Sequence, residues 1–268
     1  MARFLLWNVQ RKPLESLVLT LVGQHAIDVV LLVEYGGSGS VLPDWLARSG
    51  FVVVPSHPRF GVFIHREFRA ERLDASKLLD RVDYFRLTFP SGTTGLVALL
   101  HNYDCRNYGE ETRAALFADV ASNIRREEER AGHRRSIIAG DFNAHPFDAA
   151  VVGSHGLHAL GVRTVRDRTT RRVLGMERDF FYNPMWRVYG HSTDAGAATF
   201  FRAGNDAVEH IWHMLDQVVI RPDVLDAFPE DNLEILISVG LRSLTRRRGE
   251  PDSAFASDHL PIVFEWNL

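Results

Sequence analysis

The 268-residue chain has a single cysteine, Cys105, and only two lysines, Lys12 and Lys77. One thiol cannot form an intrachain disulfide, so nothing calls for an oxidising compartment, and no disulfide-linked partner is expected. Cys105 reads as a small packed residue. No apolar run approaches the roughly 20 residues that a helix needs to cross a bilayer. The strand-like "FLLWN" at 4 to 8 leaves no room before it for a signal peptide, so the expected location is cytoplasmic. Internal repeats, linkers and low-complexity stretches are missing, as is the HExxH pattern of a helical zinc site. The small formal charge of -3 excludes neither a polyanionic nor a neutral partner.

What is present is a composition 46% hydrophobic, enough for a sizeable core, and at this length one domain spanning residues 1–268 is the expectation. Short apolar runs read as strands: "FLLWN" (4 to 8), "VVLLVE" (29 to 34), "FVVVP" (51 to 55), "GVFIH" (61 to 65), "YFRLTF" (84 to 89) and "GLVALLH" (95 to 101). Between the first two, "PLESLVLTLVGQ" opens with Pro13 and has helical spacing, so the chain begins β-α-β. "EETRAALFADVASNIRREEERAG" is the clearest helix, with "RREEER" as its solvated face and a glycine to end it. After "RSIIAGD", the region from about 145 to 210 lacks periodicity and reads as long loops with short elements. Strands return at "MLDQVVI" (214 to 220), "LEILISV" (233 to 239) and "LPIVFEW" (260 to 266). Helices at intervals among many strands predict an α/β (α+β) architecture: two sheets face to face with helices outside, not a regularly alternating doubly wound fold.

Several of these strands end on polar residues. "FLLWN" ends at Asn8, "VVLLVE" at Glu34, "LVALLH" at His101 and "SIIAGDFN" at Asp141 and Asn143, while "MLDQVVI" carries Asp216 and "ASDHLPIVF" opens with Asp258 and His259. Any one of them is ordinary as a turn residue or a packed histidine. Contributed by six separate segments, they are difficult to explain as turns, since burying an unpartnered polar group costs about 1 to 3 kcal/mol. Glu34, Asp141 and Asp258 are hard oxygen ligands suited to Mg2+ or Mn2+, and one thiol without HExxH makes zinc the poorer fit. A cation, a carboxylate to orient water and donors for developing charge are what hydrolysis of a phosphate ester requires.

Taken in order, "WN" near the start, Glu34 after an apolar strand, "GDFN" and "SDHLP" near the end resemble the endonuclease/exonuclease/phosphatase superfamily, the DNase I-like metal-dependent phosphoesterases, over nearly the whole chain. The resemblance implies a four-layer αββα sandwich of two mixed sheets and a hydrolase that uses Mg2+ or Mn2+. It makes Glu34 the main metal ligand, assisted by Asn8 and Asp258, and gives Asp141 the task of orienting or deprotonating the attacking water. Asn143 and His101 would hold the scissile phosphate, with Asn8 beside them, and His259 would contact it from the opposite side, oriented by Asp216. Residues 141 and 143 would share one side of an extended segment and address one phosphate together. The chain departs from the AP endonuclease pattern at Gln10, where those enzymes carry an acidic residue, and at His101, where they tend to use Tyr, which disfavours an abasic-site enzyme. Gln217 stands where the family often has an aromatic.

A nuclease hydrolysing phosphodiester bonds in DNA or RNA is the first expectation. The alternatives are a phosphatase or phosphodiesterase of a small phosphorylated substrate, such as a phosphoinositide or a sugar or lipid phosphate, and a catalytically inactive binding module. The complete polar set argues against the module. Arg163, Arg166, Arg168, Arg171 and Arg172, and the run Arg246, Arg247 and Arg248, read as solvated loops or as contacts to backbone phosphates, with Arg246 the candidate closest in sequence to Asp258. In "DFFYNPMWRVYG" (179 to 190), Tyr182 and Trp186 read as part of a loop-packing cluster or as a wall that stacks on a base. His191, His210 and His213 lack metal-site spacing and read as structural.

Overall fold

A computed structural model describes residues 1–37, 39–77, 80–191, 198–204 and 210–268. The chain runs β1 (Ala2–Asn8), α1 (Glu15–Gln24), β2 (Val29–Val33), α2 (Leu42–Arg48), β3 (Phe51–Val54), β4 (Phe60–His65), β5 (Arg69–Arg72), β6 (Val82–Thr88) and β7 (Thr94–His101). The long helix α3 (Glu110–Ala131) then leads into β8 (Ser136–Asp141). Shorter elements follow: α4 (Ala149–Val152), β9 (Ala159–Leu160), β10 (Thr170–Val173), β11 (Met176–Asp179), β12 (Phe181–Tyr182), α5 (Met185–His191), β13 (Phe200–Phe201) and β14 (Trp212–His213). The last are β15 (Asp216–Ile220), β16 (Glu234–Ile235), β17 (Ser238–Val239), β18 (Arg242–Ser243) and β19 (Ile262–Trp266). The expected strand over 233 to 239 is thus two short ones, β16 and β17, on different sheets.

Two mixed sheets form the centre, in the orders β16-β19-β1-β2-β4-β3 and β5-β6-β7-β8-β15-β12-β9. Each has one central parallel pair joined through a helix, β1 with β2 through α1 and β7 with β8 through α3. Side-chain alternation divides the second sheet between two cores. Val97 and Leu99 of β7, Ile137 and Ala139 of β8, and Val218 and Ile220 of β15 join the core shared with the first sheet. Leu96, Ala98 and Leu100, Ile138 and Val219 pack instead with Phe117, Val120 and Ile124 of α3. This is the expected pair of facing sheets with helices outside.

Two glycines permit close approaches within this sandwich. A Cβ at Gly95 would lie 2.2 Å from the ring of Trp266, which fills the space between the sheets. A Cβ at Gly140 would lie 1.9 Å from the Leu100 carbonyl oxygen, and φ there is +146°, so only glycine fits immediately before Asp141. Helix α3 ends at Gly132, whose left-handed φ of 68° closes the last turn. The helix is pinned to the sheet by Arg221, whose guanidinium grips both oxygens of buried Glu128 at 2.7 and 2.9 Å and lies 3.9 Å from the centre of the Phe181 ring.

Candidate active site

The same alternation places the polar strand ends. His101, Asp141 and Asp216 continue the rows 97 and 99, 137 and 139, and 218 and 220, so all three point between the sheets where the apolar core runs out. They are direct neighbours, since His101 pairs with Asp141 across β7 and β8, and Asp141 with Asp216 across β8 and β15. From the facing sheet, Asn8 closes the gap at the end of β1. Its amide donates to Asp141 Oδ2 at 2.9 Å and more weakly to Glu34 Oε1 at 3.4 Å.

Glu34, His101 and Asp141 present ligand atoms that all lie within 4.8 Å of one another, as do Asp141, Asp216 and His259. Among the described residues neither Glu34 nor Asp141 has an Arg or Lys ion pair, and the groups in direct reach of their oxygens are the imidazoles of His101 and His259, with Arg59 acting on Glu34 only from farther off. Two carboxylates held together by a neutral amide, without a guanidinium or ammonium to balance them, fit a hard divalent cation. Glu34 keeps 28% of its side chain exposed and adopts a left-handed φ of 53°, which turns the carboxylate out of the strand line into the cleft. Asn8 contributes by orientation, because its own carbonyl oxygen accepts the Gln10 N–H at 3.0 Å. Asp258 lines the same cleft, with Oδ2 accepting from Gln10 Nε2 at 2.9 Å, so the neutral Gln10 holds Asp258 where an acidic residue would repel it.

His259 Nδ1 lies 2.6 Å from Asp216 Oδ2, both groups are buried, and His259 Nε2 faces Asp141 at 4.0 Å. Burial alone would favour the neutral ring, but Asp216, by charge and hydrogen bond, with Asp141 and Asp258 behind it, lifts the His259 pKa to about 10. His259 is therefore an imidazolium at neutral pH. His101 is the opposite case: burial, aided by Arg59, Arg81 and His259, outweighs the pull of Asp141 and lowers its pKa to about 4. The site thus pairs one neutral imidazole with one charged one. Burial drives the Asp141 carboxyl upward and Asp216 adds to this, while His259 and His101 pull it down. The "SDH" segment is lashed to β1 by Ser257 Oγ donating to Asn8 O at 2.6 Å and by Trp7 Nε1 donating to His259 O at 2.8 Å. Lys12 reinforces this by donating to the Ser253 and Ala256 carbonyls.

Asn143 lines the cleft, but not on an extended segment. Its φ is a left-handed 47°, and the chain turns because Asp141 Oδ1 accepts the Asn143 N–H at 2.9 Å. Its amide donates to Asn102 O at 3.0 Å. Other expected residues lie elsewhere. Tyr182 is buried in the core on β12, with its hydroxyl donating to Glu230, so it offers no face to a base. Trp186 is 40% exposed and packs over Gly161 and edge-on to Phe147, outside the cleft lining. Arg246 pairs with Asp252 at 3.2 Å, and the run 246–248 borders a separate depression with Glu250. Arg163 and Arg166 are bound to Glu230 and Asp226, and Arg171 and Arg172 lie on the β10–β11 hairpin. Cys105 is exposed at the cleft rather than packed. His213 also lines the cleft and meets His145 at 3.0 Å, whereas His191 lies on α5. Gln217 is buried and joins three loops, donating to Ala144 O and Met214 O and accepting from Asn183.

The cleft, of about 410 Å³, also contains cations that the strand-end pattern misses: Arg11, Arg59, Arg81, Arg106 and Arg202. Arg59 and Arg81 could have been found by register. Each immediately precedes a strand antiparallel to one that ends in the site: Val33 pairs with Phe60, and Leu100 with Val82.

A two-sheet sandwich whose strand ends converge on clustered carboxylates and imidazoles defines the class of metal-dependent hydrolases of phosphate esters. The model of the endonuclease/exonuclease/phosphatase family matches residues 5–259, and the chain belongs to that family. Its named activities are all hydrolyses of phosphate ester bonds. No curated protein matches the chain by sequence. Among solved structures, TDP2 of D. rerio complexed with a single-stranded DNA product superposes with a TM-score of 0.61 at 15% identity, covering 100% of this chain and 99% of that one. The human nocturnin catalytic domain with bound sulfate gives 0.61 at 16%, covering 99% and 93%. An AP endonuclease from Archaeoglobus fulgidus gives 0.57 at 14%, covering 100% of both chains. At these identities the likeness is one of fold. Among the described residues no helix is long and apolar enough to cross a membrane.

Proposed function

We propose that the chain is an Mg2+- or Mn2+-dependent phosphodiesterase acting on nucleic acid, folded as one domain over residues 1–268. One observation carries the reading: two carboxylates, Glu34 and Asp141, are held together by Asn8 and, among the described residues, form no ion pair with Arg or Lys, opposite an imidazolium. Glu34 would hold the cation, with Asp258 at the rim of the same cleft and Asn8 setting the carboxylates; bound there, the ion supplies positive charge to the phosphoryl oxygens. Asp141, buried and with its pKa raised, accepts a proton from water more readily than an exposed carboxylate does. His259 donates from Nε2 to a phosphoryl oxygen, and Asp216 keeps it charged and fixes its orientation. Neutral His101 presents a donor without adding repulsive charge to the carboxylates. Asn143 contributes its position at the cleft wall.

The test is turnover of DNA, RNA and bis-p-nitrophenyl phosphate with Mg2+ or Mn2+, with and without EDTA. Asp141→Asn is expected to reduce kcat by about 100-fold or more, and Glu34→Gln to weaken cation binding measured by calorimetry. Failure of the wild-type protein to cleave any diester with either ion rejects the reading, and ligand binding unaffected by EDTA without product favours a binding module.

A further inference from the structure

Arg59 and Arg81 stand side by side at the wall of the cleft, half-buried, and among the described residues neither forms an ion pair with a carboxylate. The Nε of each is buried without a hydrogen-bond partner. Arg81 is held by the Tyr103 ring, 4.3 Å from its centre, and its carbonyl accepts the His101 N–H at 2.9 Å. The Arg59 carbonyl accepts the N–H of Tyr35, next to Glu34, at 3.0 Å. Both guanidiniums therefore ride on backbone fixed to the strands that carry His101 and Glu34. Burial first, then Arg81, lowers the Arg59 pKa. Since a guanidinium does not lose its proton under ordinary conditions, this describes charge held in an unfavourable setting that an anion would relieve.

Position distinguishes this pair from the site of bond cleavage. His101 Nε2 faces Glu34 and Asp141, whereas its Nδ1 faces Arg59 Nη1 at a long 3.5 Å. Arg59 thus lies one imidazole width beyond the carboxylates. A group bound there is a neighbour of the scissile phosphate. Two guanidiniums lining the cleft without a carboxylate ion pair among the described residues match a dianion, which a terminal phosphomonoester approaches at pH 7, better than the single charge of an internal diester.

Resting on the phosphodiesterase reading of the cleft, we propose that Arg59 and Arg81 form a second-phosphate subsite that selects nucleic acid ends bearing a terminal phosphomonoester next to the bond to be cut. The probes are thymidine trinucleotides phosphorylated at the 5′ end, the 3′ end or neither, with bis-p-nitrophenyl phosphate as a diester lacking a second phosphate. Turnover is measured with Mg2+, and dissociation constants in EDTA by calorimetry. One phosphorylated trinucleotide should exceed the unphosphorylated one by about 10-fold or more in both kcat/KM and affinity, the scale of a charge-assisted hydrogen bond. In Arg59→Gln and Arg81→Gln that ratio should fall toward one, with partial recovery in the Lys variants, which keep the charge but lose the fork. A ratio near one in the wild type, or one unchanged in both Gln variants, overturns the subsite. A preference retained in EDTA while no diester is cleaved under any condition would reject the phosphodiesterase reading and leave the subsite standing; cleavage without preference would do the reverse.

Discussion

Asp216→Asn probes the polar heart of the site, because it removes one charge while keeping the shape. In the wild type His259 titrates near 10 instead of 6.5, a difference worth about 5 kcal/mol of preference for the imidazolium in the folded state. Asp216, at 2.6 Å, is the largest favourable contributor, with Asp141 and Asp258 adding to it, and removing one partner of a buried pair of this kind costs about 3 kcal/mol or more. A pKa raised on folding contributes stability that is fully present below the unfolded value and is lost as pH rises through the folded one. The penalty for Asp216→Asn, measured by urea unfolding in EDTA, should therefore be about 3 kcal/mol at pH 6 and should shrink steadily towards pH 10. In parallel, the His259 ring resonance should titrate lower in the variant by about 1 to 3 pH units. An equal penalty at pH 6 and pH 10, or a wild-type His259 that titrates near its ordinary value, would refute the buried ion pair.

Gly140→Ala should destabilise the protein by about 3 kcal/mol or more, or prevent folding, since the new Cβ would meet the Leu100 carbonyl at 1.9 Å; a loss under about 1 kcal/mol in urea would show that β7 and β8 can separate there. Replacing Arg246, Arg247 and Arg248 together with Gln should leave KM for the trinucleotides unchanged, because the run borders a depression of its own; a rise in KM for these short substrates would place it in the cleft after all. Glu128→Ala should cost about 3 to 5 kcal/mol by stranding the Arg221 guanidinium in the core, whereas replacing both residues with apolar ones should cost less; equal losses would mean the pair is not coupled.

The strand ends were legible in the sequence because alternation is a local property. Once residues 97 and 99, or 137 and 139, are read as core, the side of the sheet on which 101 and 141 fall follows from a period of two. Asp141, His101 and Asp216 could therefore be placed on one face without knowing the strand order, whereas Asn8, Glu34 and His259 were marked only as polar residues flanking apolar strands. Arg59 and Arg81 could not, because their positions depend on pairing. Arg59 reaches the site because β4 runs antiparallel to β2, and Arg81 because β6 runs antiparallel to β7. Tyr182 failed for a related reason. In a stretch without periodicity an aromatic residue gives no sign of which way it faces, and β12 turned out to be an inner strand of the sheet. The conspicuous arginine runs left both readings open because density of charge in sequence carries no information about partners, and Arg163, Arg166 and Arg246 are paired with Glu230, Asp226 and Asp252 on exposed segments.

Turn geometry was the other concealed feature, and it bears on function. Gln10, Arg11, Glu34 and Asn143 all have left-handed backbone conformations, with φ of 52°, 54°, 53° and 47°. Each costs about 1 to 2 kcal/mol for a residue other than glycine. Four of the eight such non-glycine residues among those described therefore line one cleft. Glycine at these positions would relieve the strain, but it would delete the groups that matter: the Glu34 carboxylate, the Asn143 amide and the Gln10 donor to Asp258. The neighbouring contacts hold the strained turns in place, since Arg11 N–H donates to Glu34 O at 2.8 Å and Gln10 N–H to Asn8 Oδ1 at 3.0 Å. Alternation delivers side chains only along the strand axis, facing the opposite sheet. Aiming a carboxylate and an amide into an open cleft requires the chain to turn sharply at the strand end, and the left-handed residues accomplish that turn.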